Sequence, residues 1–396
     1  MAPDSNILTV NSGSSSIKFS LYVLGKTERL VLEGELARIG LSQGFFQAKD
    51  QEGHPLTAQE LDLPDHGAAL KTLFAWLQGH EIGKELHGVG HRLVHGGPAH
   101  IKPQLVSSAL IEDLKLLIPL APEHLPDEIK GLEAVRMHFP DLPQVVCFDT
   151  AFHRRMPEVA QKYPLPKSLS MEGLRRYGFH GLSYEYILQE LVQEAGASAA
   201  SGKLIIAHLG YGASMAAING GRSMDTTMGL TPAGGLVMST RVGDLDPGVI
   251  VYLLREKGMT PAAVNNLINH QAGLLGISGI SGDMHDLLAQ EGTLADAGLA
   301  VEVFCYQARK FVGALAAALS GLDTLIFTAG IGENSAIIRA RICAPLRFLG
   351  IILDKGLNEG NFPIISRIDS RVTVRVMQTN EELMIARHTR DLVIES

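Results

Sequence analysis

Two stretches of this chain have the residue types and spacing to hold a bulky anion, and they lie nearly half a chain length apart. In the central one, His208, Leu209, Gly210, Tyr211, Gly212, Ala213 and Ser214 separate the apolar runs 204–207 and 215–218, which predicts strand, glycine turn, strand. Glycines at 210 and 212 remove the Cβ atoms that would keep backbone N–H groups from a phosphate. Successive N–H groups in such a turn form an anion-binding concavity. Standing alone, the segment reads more readily as an ordinary hairpin with turn glycines, and Asn219-Gly220 signals a further hairpin turn. The first strand repeats the design, with Ile7 to Val10 apolar, Asn11 to Ser16 (NSGSSS) as the turn, and alternation from Ile17 to Tyr22. Two glycine-and-hydroxyl turns between strand pairs, one opening each half, predict a duplicated fold with a phosphate loop from each copy. Neither turn has the spacing G-x-x-x-x-G-K-[ST], and no G-x-G-x-x-G follows a strand, so P-loop and Rossmann sites are disfavoured.

Other candidates are scattered along the chain. Arg92 lies between His91 and His95, just before Gly96-Gly97. A guanidinium with backbone room beside it suits carboxylate or phosphate recognition, or else a structural salt bridge. Asp149 ends the apolar run 145–148, where α/β folds place chemistry, and could equally be a capping aspartate. His180, beside Gly181, could donate to a transferring phosphoryl group or bond to backbone at a helix entry. Arg241 follows the central turn, with Asp244 and Asp246. Gly330 and Gly332 would let a flat ligand approach backbone, and Asn334 is expected to open a helix whose N-terminus favours an anion. Thr379 and Glu382 have capping-box spacing, which leaves Glu381 to face a site.

The elements that must position these residues follow from periodicity. Strands are expected over 29–39, 44–49, 145–148, 323–328 and 371–377, and the stretch 50–65 is a charged and polar cluster. Helices are expected over 66–78, 110–118 and 127–139, from Ser183 as N-cap to Glu194, and after Asp246-Pro247 and Thr260-Pro261. Leu299 to Leu319 is the most apolar long segment, but Glu302, Arg309 and Lys310 make it a core helix, not a membrane span.

With 396 residues, 46% of them hydrophobic, the chain is long enough for two to three domains with sizeable cores. A net charge of −8 argues against a nucleic-acid or membrane-surface binder, so an anionic ligand needs a local basic cluster. Cys147, Cys305 and Cys343 are too few for a disulfide framework or thiolate metal site and read as buried small apolar residues in a reducing compartment. The N-terminus lacks a basic region followed by an apolar core, which predicts no signal peptide and a cytoplasmic protein.

Seven ordered blocks, NSGSSSIKF, GHRLVHGG, FDTAFH, RRYGFHG, DTTMGLTPAGGL with TRVGDLDPG, TAGIGENS and TNEELMIARHT, together resemble the acetate kinase family, within the superfamily of actin and the sugar kinases. The resemblance is nearly full length. It implies an α/β fold of two duplicated ribonuclease-H-like domains around a central cleft, 1–150 completed by the C-terminal helix 383–396, and 151–382. It also implies ATP/ADP and Mg²⁺ (or Mn²⁺) as cofactors, phosphoryl transfer to a small carboxylate such as acetate or propionate, and a homodimer. By matching position, Asn11 and Glu381 would bind the metal, and Ser14, Ser16 and Lys18 would face the phosphates. Arg92 and Arg241 would hold the acyl carboxylate and the transferring phosphoryl group, His180 would donate to the latter, and Asp149 would stand near the reacting centre. The segment His208, Leu209, Gly210, Tyr211, Gly212 would contact phosphate. Asp283, Met284 and His285, with Gly330, Ile331, Gly332, Glu333 and Asn334, would hold adenosine. Val94, Phe179 and Pro232 would form the acyl pocket, where Glu123 replaces a common leucine. Further departures are Tyr211 and Ala213 for asparagine and serine, His285 for arginine and Gln378 for proline.

The acceptor chemistry constrains these roles. A carboxylate with a pKa near ~4.3 is ionised at pH 7, so transfer needs no general base. Asp149 then serves to organise magnesium or orient Arg92. Transfer needs charge neutralised on the equatorial oxygens and two anions held in line. Pyrophosphate as donor, or propionate or butyrate as acceptor, would keep the fold. An actin-like ATPase switch or filament protein would not need two carboxylate-binding arginines.

Overall fold

The computed structural model describes residues 4–13, 15–79 and 85–395. The chain divides into two compact units, Met1–Ala151 with Asn380–Ser396, and Phe152–Thr379.

The first unit is built on an eight-stranded sheet in the order β5-β4-β3-β2-β1-β6-β8-β7. Strands β1 (Ser5–Ser12), β2 (Ser16–Leu24), β3 (Glu28–Ala37), β4 (Gly44–Asp50) and β5 (Pro55–Leu61) form an antiparallel meander. Strands β6 (Leu86–Leu93) and β8 (Gln144–Phe148) then run parallel to β1, and β7 (Gln104–Leu105) closes the edge antiparallel to β8. Side chains alternate across a strand, and here the alternation sorts the two faces. Leu8, Val10, Phe19, Leu21 and Val89 pack into one core with the helix His66–Gln78 and with Ala134 and Val135 of the helix Leu125–His138. Ile7, Tyr22 and Leu24 turn the other way, against Leu383 and Ala386 of the C-terminal helix Glu381–Glu395. That helix sits close to β6 because Gly88 and Gly90 offer no Cβ. One built at Gly90 would lie 2.3 Å from Thr389 Oγ1 and 2.5 Å from Ile385 Cγ2.

The second unit carries a five-stranded sheet, β11-β10-β9-β12-β13. Strands β9 (Lys203–Leu209), β10 (Ala213–Asn219) and β11 (Arg222–Thr226) are antiparallel, and β12 (Thr324–Thr328) and β13 (Thr373–Val376) run parallel to β9. This order matches β3-β2-β1-β6-β8 of the first unit strand for strand, so the duplication expected from the paired glycine turns, and the ribonuclease-H-like fold implied by the resemblance, are present in both. The helix Gly181–Ala195 packs Tyr184, Ile187 and Leu191 on Leu204, Ile206, Ala216 and Ile218. The hairpin at 219–222 turns through Gly220 and Gly221, at φ of 57° and 70°.

Several local expectations are corrected. Strand β5 lies inside the stretch read as a polar cluster. It is an edge strand whose residues are mostly exposed, so no apolar alternation marks it. The helix expected from Ser183 begins at Gly181, with His180 as its left-handed N-cap (φ 58°), and Ser183 lies buried in its first turn. Asn334 ends the helix Ala329–Asn334 instead of opening one. The last helix is capped by Asn380, whose Oδ1 accepts from Leu383 N at 2.8 Å, so Thr379 and Glu382 form no capping box. The caps at Asp246 and Thr260 are as expected. Leu299 to Leu319 lies mostly within the helix Ala295–Ala318, which buries one face (Ala297, Ala300, Val301, Phe304, Ala308, Val312) and exposes the other, so it is not a fully buried core helix; among the described residues no helix is long and apolar enough to cross a membrane.

Candidate active site

In the first unit the functional candidates gather where the three parallel strands end. The register Val10↔His91 and Arg92↔Cys147 aligns Asn11 with Arg92, and Asp149 lies two residues beyond Cys147. Alternation therefore puts Asn11, Arg92 and Asp149 on one face, the face covered by the C-terminal helix. Arg92 and Asp149 form a fork-to-fork pair, Nε to Oδ1 at 3.0 Å and Nη2 to Oδ2 at 2.6 Å, with Asp149 only 1% exposed. Glu381, in the first turn of the C-terminal helix, brings Oε2 to 3.6 Å from Arg92 Nε. Glu128, buried on the helix Leu125–His138, accepts from Val94 N at 3.2 Å.

One guanidinium thus faces three carboxylates. Burial pushes Glu128 up to about 8, against the lowering by Val94 N and Arg92. Burial also raises Glu381, which Arg92 only partly offsets. Burial alone would lower Arg92, but Asp149, Glu381 and Glu128 hold it above its ordinary value. These three carboxylates, two of them buried, lie on or beside the face that also carries Asn11. The pairing with Asp149 uses Nε and one edge of Nη2. The other edge, Nη1 with the outer Nη2 hydrogen, is not hydrogen-bonded among the described residues and can take a second planar anion.

The loop Asn11 to Ser16 closes with Gly13 N on Ser16 O at 2.8 Å and is tied down by His66 Nε2 at 2.7 Å from Gly13 O. Lys18 lies directly across from Asn11 in the β1–β2 ladder and is exposed. Ser14 lies outside the described residues.

In the second unit, His180, His208 and Arg241 meet at the central turn. The rings of His180 and His208 stack with centroids 4.1 Å apart and planes at 16°. A Cβ built on Gly212 would stand 3.3 Å from His180 Nε2 and 3.5 Å from Arg241 Nη1, and one on Gly210 would stand 3.9 Å from His208 Nε2. The two glycines therefore leave a space bordered by imidazole and guanidinium nitrogens. Arg241 is held by Nη1 donating to Pro232 O at 3.1 Å. Behind them, His153 is buried and its pKa is lowered to about 4, by burial against the bond to Phe179 O. Its Nε2–H must donate to the carbonyl of Phe179 (3.1 Å), so Nδ1 accepts from Ser223 Oγ (2.8 Å). This fixes the backbone of Phe179, itself 1% exposed, next to His180.

A cavity of about 850 Å³ lies in the same unit, in the size range of small-molecule sites. It brings together Gly210 and Tyr211, Asp283 to His285, and Gly330, Ile331 and Asn334, three segments far apart in sequence. Gly332 and Glu333 are turned away from it. Gly332 packs on Phe327 and Ala207, and Glu333 Oε1 accepts from Ala329 N (2.7 Å), Thr379 N (3.1 Å) and Thr328 Oγ1 (3.2 Å). Asp283 uses Oδ1 to cap the helix Met284–Gln290, accepting from His285 N at 2.7 Å. Val94 is buried just past the end of β6, and Glu123 is exposed in the first unit.

Sequence reasoning missed Glu128, His153, Ser183, Ser214, Tyr184 and Arg339. Arg339 is fully buried without a carboxylate, donating to Gly332 O, Glu333 O and Asn358, which secures the segment that carries Gly330 and Asn334. A charged residue in a short helix gives no sign in the sequence that it points inward.

Two ribonuclease-H-like units, one with a carboxylate-flanked arginine and one with an anion-sized turn beside a nucleoside-sized cavity, define a protein built for phosphate chemistry. The model of the Acetokinase family matches residues 6–387. The acetate kinase of Nitrobacter hamburgensis is 45% identical over 395 residues, covering 98% of this chain and 96% of that protein. The crystal structure of Porphyromonas gingivalis acetate kinase superposes with a TM-score of 0.90 at 38% identity, covering 98% of this chain and all of that one. A propionate kinase from Francisella tularensis superposes with a TM-score of 0.93 at 36% identity, with the same coverage. The chain belongs to the acetokinase family.

Proposed function

We propose that this protein is an acetate kinase, transferring the ATP γ-phosphoryl group reversibly to acetate and giving acetyl phosphate and ADP. The observation that carries the reading is the space at Gly212, bordered by His180 Nε2 and Arg241 Nη1, which suits a transferring phosphoryl group. Arg241 and His180 neutralise its equatorial oxygens, and the backbone of His208 to Gly212 approaches it closely. Arg92, oriented by Asp149, offers its second edge to the acceptor carboxylate or to the phosphoryl group it attacks. The acceptor is already ionised, so Asp149 positions and does not take a proton. Ser16 and Lys18 face the ATP phosphates. Gly210, Tyr211, Met284, His285, Gly330, Ile331 and Asn334 surround the adenosine in the 850 Å³ cavity. Val94, Phe179 and Pro232 are the candidates that would limit the acyl group to a short chain.

The donor set of the first unit fits a divalent metal, since two of its three carboxylates are raised by burial and a single arginine faces them. Asn11 and Glu381 would hold Mg²⁺, with Asp149 nearby. Bound there, the ion supplies positive charge against phosphate oxygens.

The helix Pro247–Arg255 supports a homodimer. It is apolar from Val249 to Leu254, yet none of its residues is buried, with Val249 39%, Val251 48% and Tyr252 51% exposed. Three buried cysteines favour a reducing, cytoplasmic setting.

Hydroxylamine trapping of acyl phosphate, with ATP and Mg²⁺ and a panel of acetate, propionate, butyrate and glycerol, tests the reading. Acetate is expected to rank first, and a parallel series with pyrophosphate to give no product. Product with propionate in preference to acetate would move the protein toward the Francisella relative. Slow ATP hydrolysis with no product from any acid would refute acyl transfer.

A further inference from the structure

We propose that Ser183 and Ser214 are positioning residues that lock the stacked pair His180 and His208 as a two-pronged donor, each ring presenting Nε2–H to an anion at the Gly210 to Gly212 turn. This inference rests on the proposed role of that turn in holding phosphate.

The two rings are anchored by a crossed lacing between the helix Gly181–Ala195 and the strand pair β9–β10. His180, the N-cap of the helix, reaches Ser214 of β10 through Nδ1 at 2.8 Å. His208 of β9 reaches Ser183, in the first turn of the helix, through Nδ1 at 2.9 Å. Ser214 and His208 are paired residues in the β-ladder, so each element supplies one histidine and one serine. Both serines are fully buried, and the rings are each 8% exposed.

Proton counting gives the direction. A serine hydroxyl has one proton to donate. Thr379 Oγ1 donates to Ser183 Oγ at 2.8 Å, which leaves the Ser183 proton for His208 Nδ1. Tyr184 OH meets Ser214 Oγ, where either oxygen can donate; the phenol is the stronger acid and is assigned as the donor, which sends the Ser214 proton to His180 Nδ1. A ring that accepts at Nδ1 carries its proton on Nε2. Both Nε2 atoms face the glycine turn, His180 Nε2 lying 3.3 Å from the Cβ position of Gly212 and His208 Nε2 3.9 Å from that of Gly210. The opposite tautomer would aim a lone pair at the anion. Backbone strain supports a positional role, since His180 holds a left-handed φ of 58°, a conformation rare outside glycine.

The test is selective ¹⁵N-histidine labelling of the full chain, with the His180 and His208 signals assigned by their loss in His180→Asn and His208→Asn. Both rings are expected in the Nε2–H form in the unliganded wild type, with a shift on titration with inorganic phosphate. Ser183→Ala is expected to free the His208 tautomer and Ser214→Ala that of His180. Each should lower kcat by about 10- to 100-fold, by analogy with the loss of orienting partners of metal-ligating histidines, with KM for acetate within twofold. The hydroxyl-retaining Ser183→Thr and Ser214→Thr are expected to recover most of kcat. Should an alanine variant fail to fold, Thr379→Val removes the donor into Ser183 without touching either ring's partner, and a mixed His208 tautomer is expected there. An Nδ1–H form in the wild type, or alanine variants with unchanged tautomer and kcat, would overturn the inference. Wild-type rings in the Nε2–H form that ignore phosphate would instead refute the proposed anion site.

Discussion

Asp149→Asn isolates what the Arg92 pairing does. The substitution keeps the volume of a side chain that is 1% exposed but removes its charge and one of its two acceptors. Of the present bonds, at 3.0 and 2.6 Å, one can survive on the amide oxygen, while the other guanidinium N–H faces an amide NH₂. A hydrogen bond to a charged group contributes about 1.5–3 kcal/mol. At 1.4 kcal/mol per factor of ten, an orientation lost to that extent lowers kcat/KM for the acceptor by about 10- to 100-fold. The fold should persist, since Arg92 keeps Glu381 at 3.6 Å and its exposed edge reaches solvent. The assay is initial-rate acyl phosphate formation against acetate concentration from pH 6 to 8, with thermal unfolding as the control. The loss is expected at every pH, because an ionised acceptor needs no base. A folded variant with kcat/KM within twofold of wild type would refute the positioning argument, and a loss confined to one limb of the pH profile would show that Asp149 carries a proton.

Three further outcomes are expected. Arg241→Ala should lose on the order of 10² or more in kcat with the fold intact, as for removal of one charge-stabilising donor; near-normal turnover in hydroxamate formation would sink its assignment. Gly212→Ala puts a methyl 3.3 Å from His180 Nε2 and 3.5 Å from Arg241 Nη1, so the His180 ring must yield by a few tenths of an ångström and the methyl fills the space proposed for the phosphoryl group. Steady-state kinetics should show kcat reduced by at least about tenfold with unfolding unchanged, on the scale of a misplacement at the reacting centre, and a fully active variant would place the phosphate elsewhere. His91 and His153 are buried with pKa values lowered to about 4 by burial, so between pH 6.5 and 4 the unfolded chain binds protons that the native one does not. Stability is therefore present above 6.5 and lost as pH falls, at up to about 1.4 kcal/mol per pH unit for each histidine. His153→Gln should remove one of these two slopes in denaturant unfolding across the window, and an unchanged slope would show that His153 is not held neutral.

What the sequence revealed and what it hid divide along physical lines. Strands β9 and β10 and the turn between them were legible because burial on both faces leaves continuous apolar runs, and because Gly210 and Gly212 interrupt them. The duplication was legible for the same reason, in the likeness of the Asn11 and Gly210 turns. The candidates Arg92, Asp149, Glu381 and Gly210 came from residue type and local spacing, and His285 came from the resemblance. The grouping of Asn11, Arg92 and Asp149 came from the register Val10↔His91 and Arg92↔Cys147, which no local pattern contains. Helix starts were misjudged wherever a tertiary bond outcompeted a local cap. Ser183 and Thr379 have the composition of N-caps, but each spends its hydroxyl on the chain leading to His208. Glu333 looks like a ligand residue in an exposed glycine loop, but its carboxylate satisfies backbone N–H groups at 329 and 379. Glu128 and Arg339 were invisible because an inward charge on a helix is identified only by what it meets.

The two units also show how one strand order can be given opposite electrostatics. Both place a turn between their first two strands and line up candidate residues at the ends of the parallel strands. At those ends the first unit has Asn11, Arg92 and Asp149, with Glu381 and Glu128 added from helices, so acid exceeds base and a cation is favoured. The second has His208 aligned with Thr328, and His180 and Arg241 arriving from a helix cap and a loop, so donors exceed acceptors and an anion is favoured. The glycine turns differ accordingly. Gly13 is tied by its carbonyl to His66, whereas Gly210 and Gly212 lie open to imidazole and guanidinium nitrogens. Phosphoryl transfer between two anions needs both kinds of site, a cation to offset the donor's charge and fixed N–H groups around the moving group. In the proposed reading, duplication supplies two copies of the same scaffold, and the residues at equivalent strand ends would serve these two tasks.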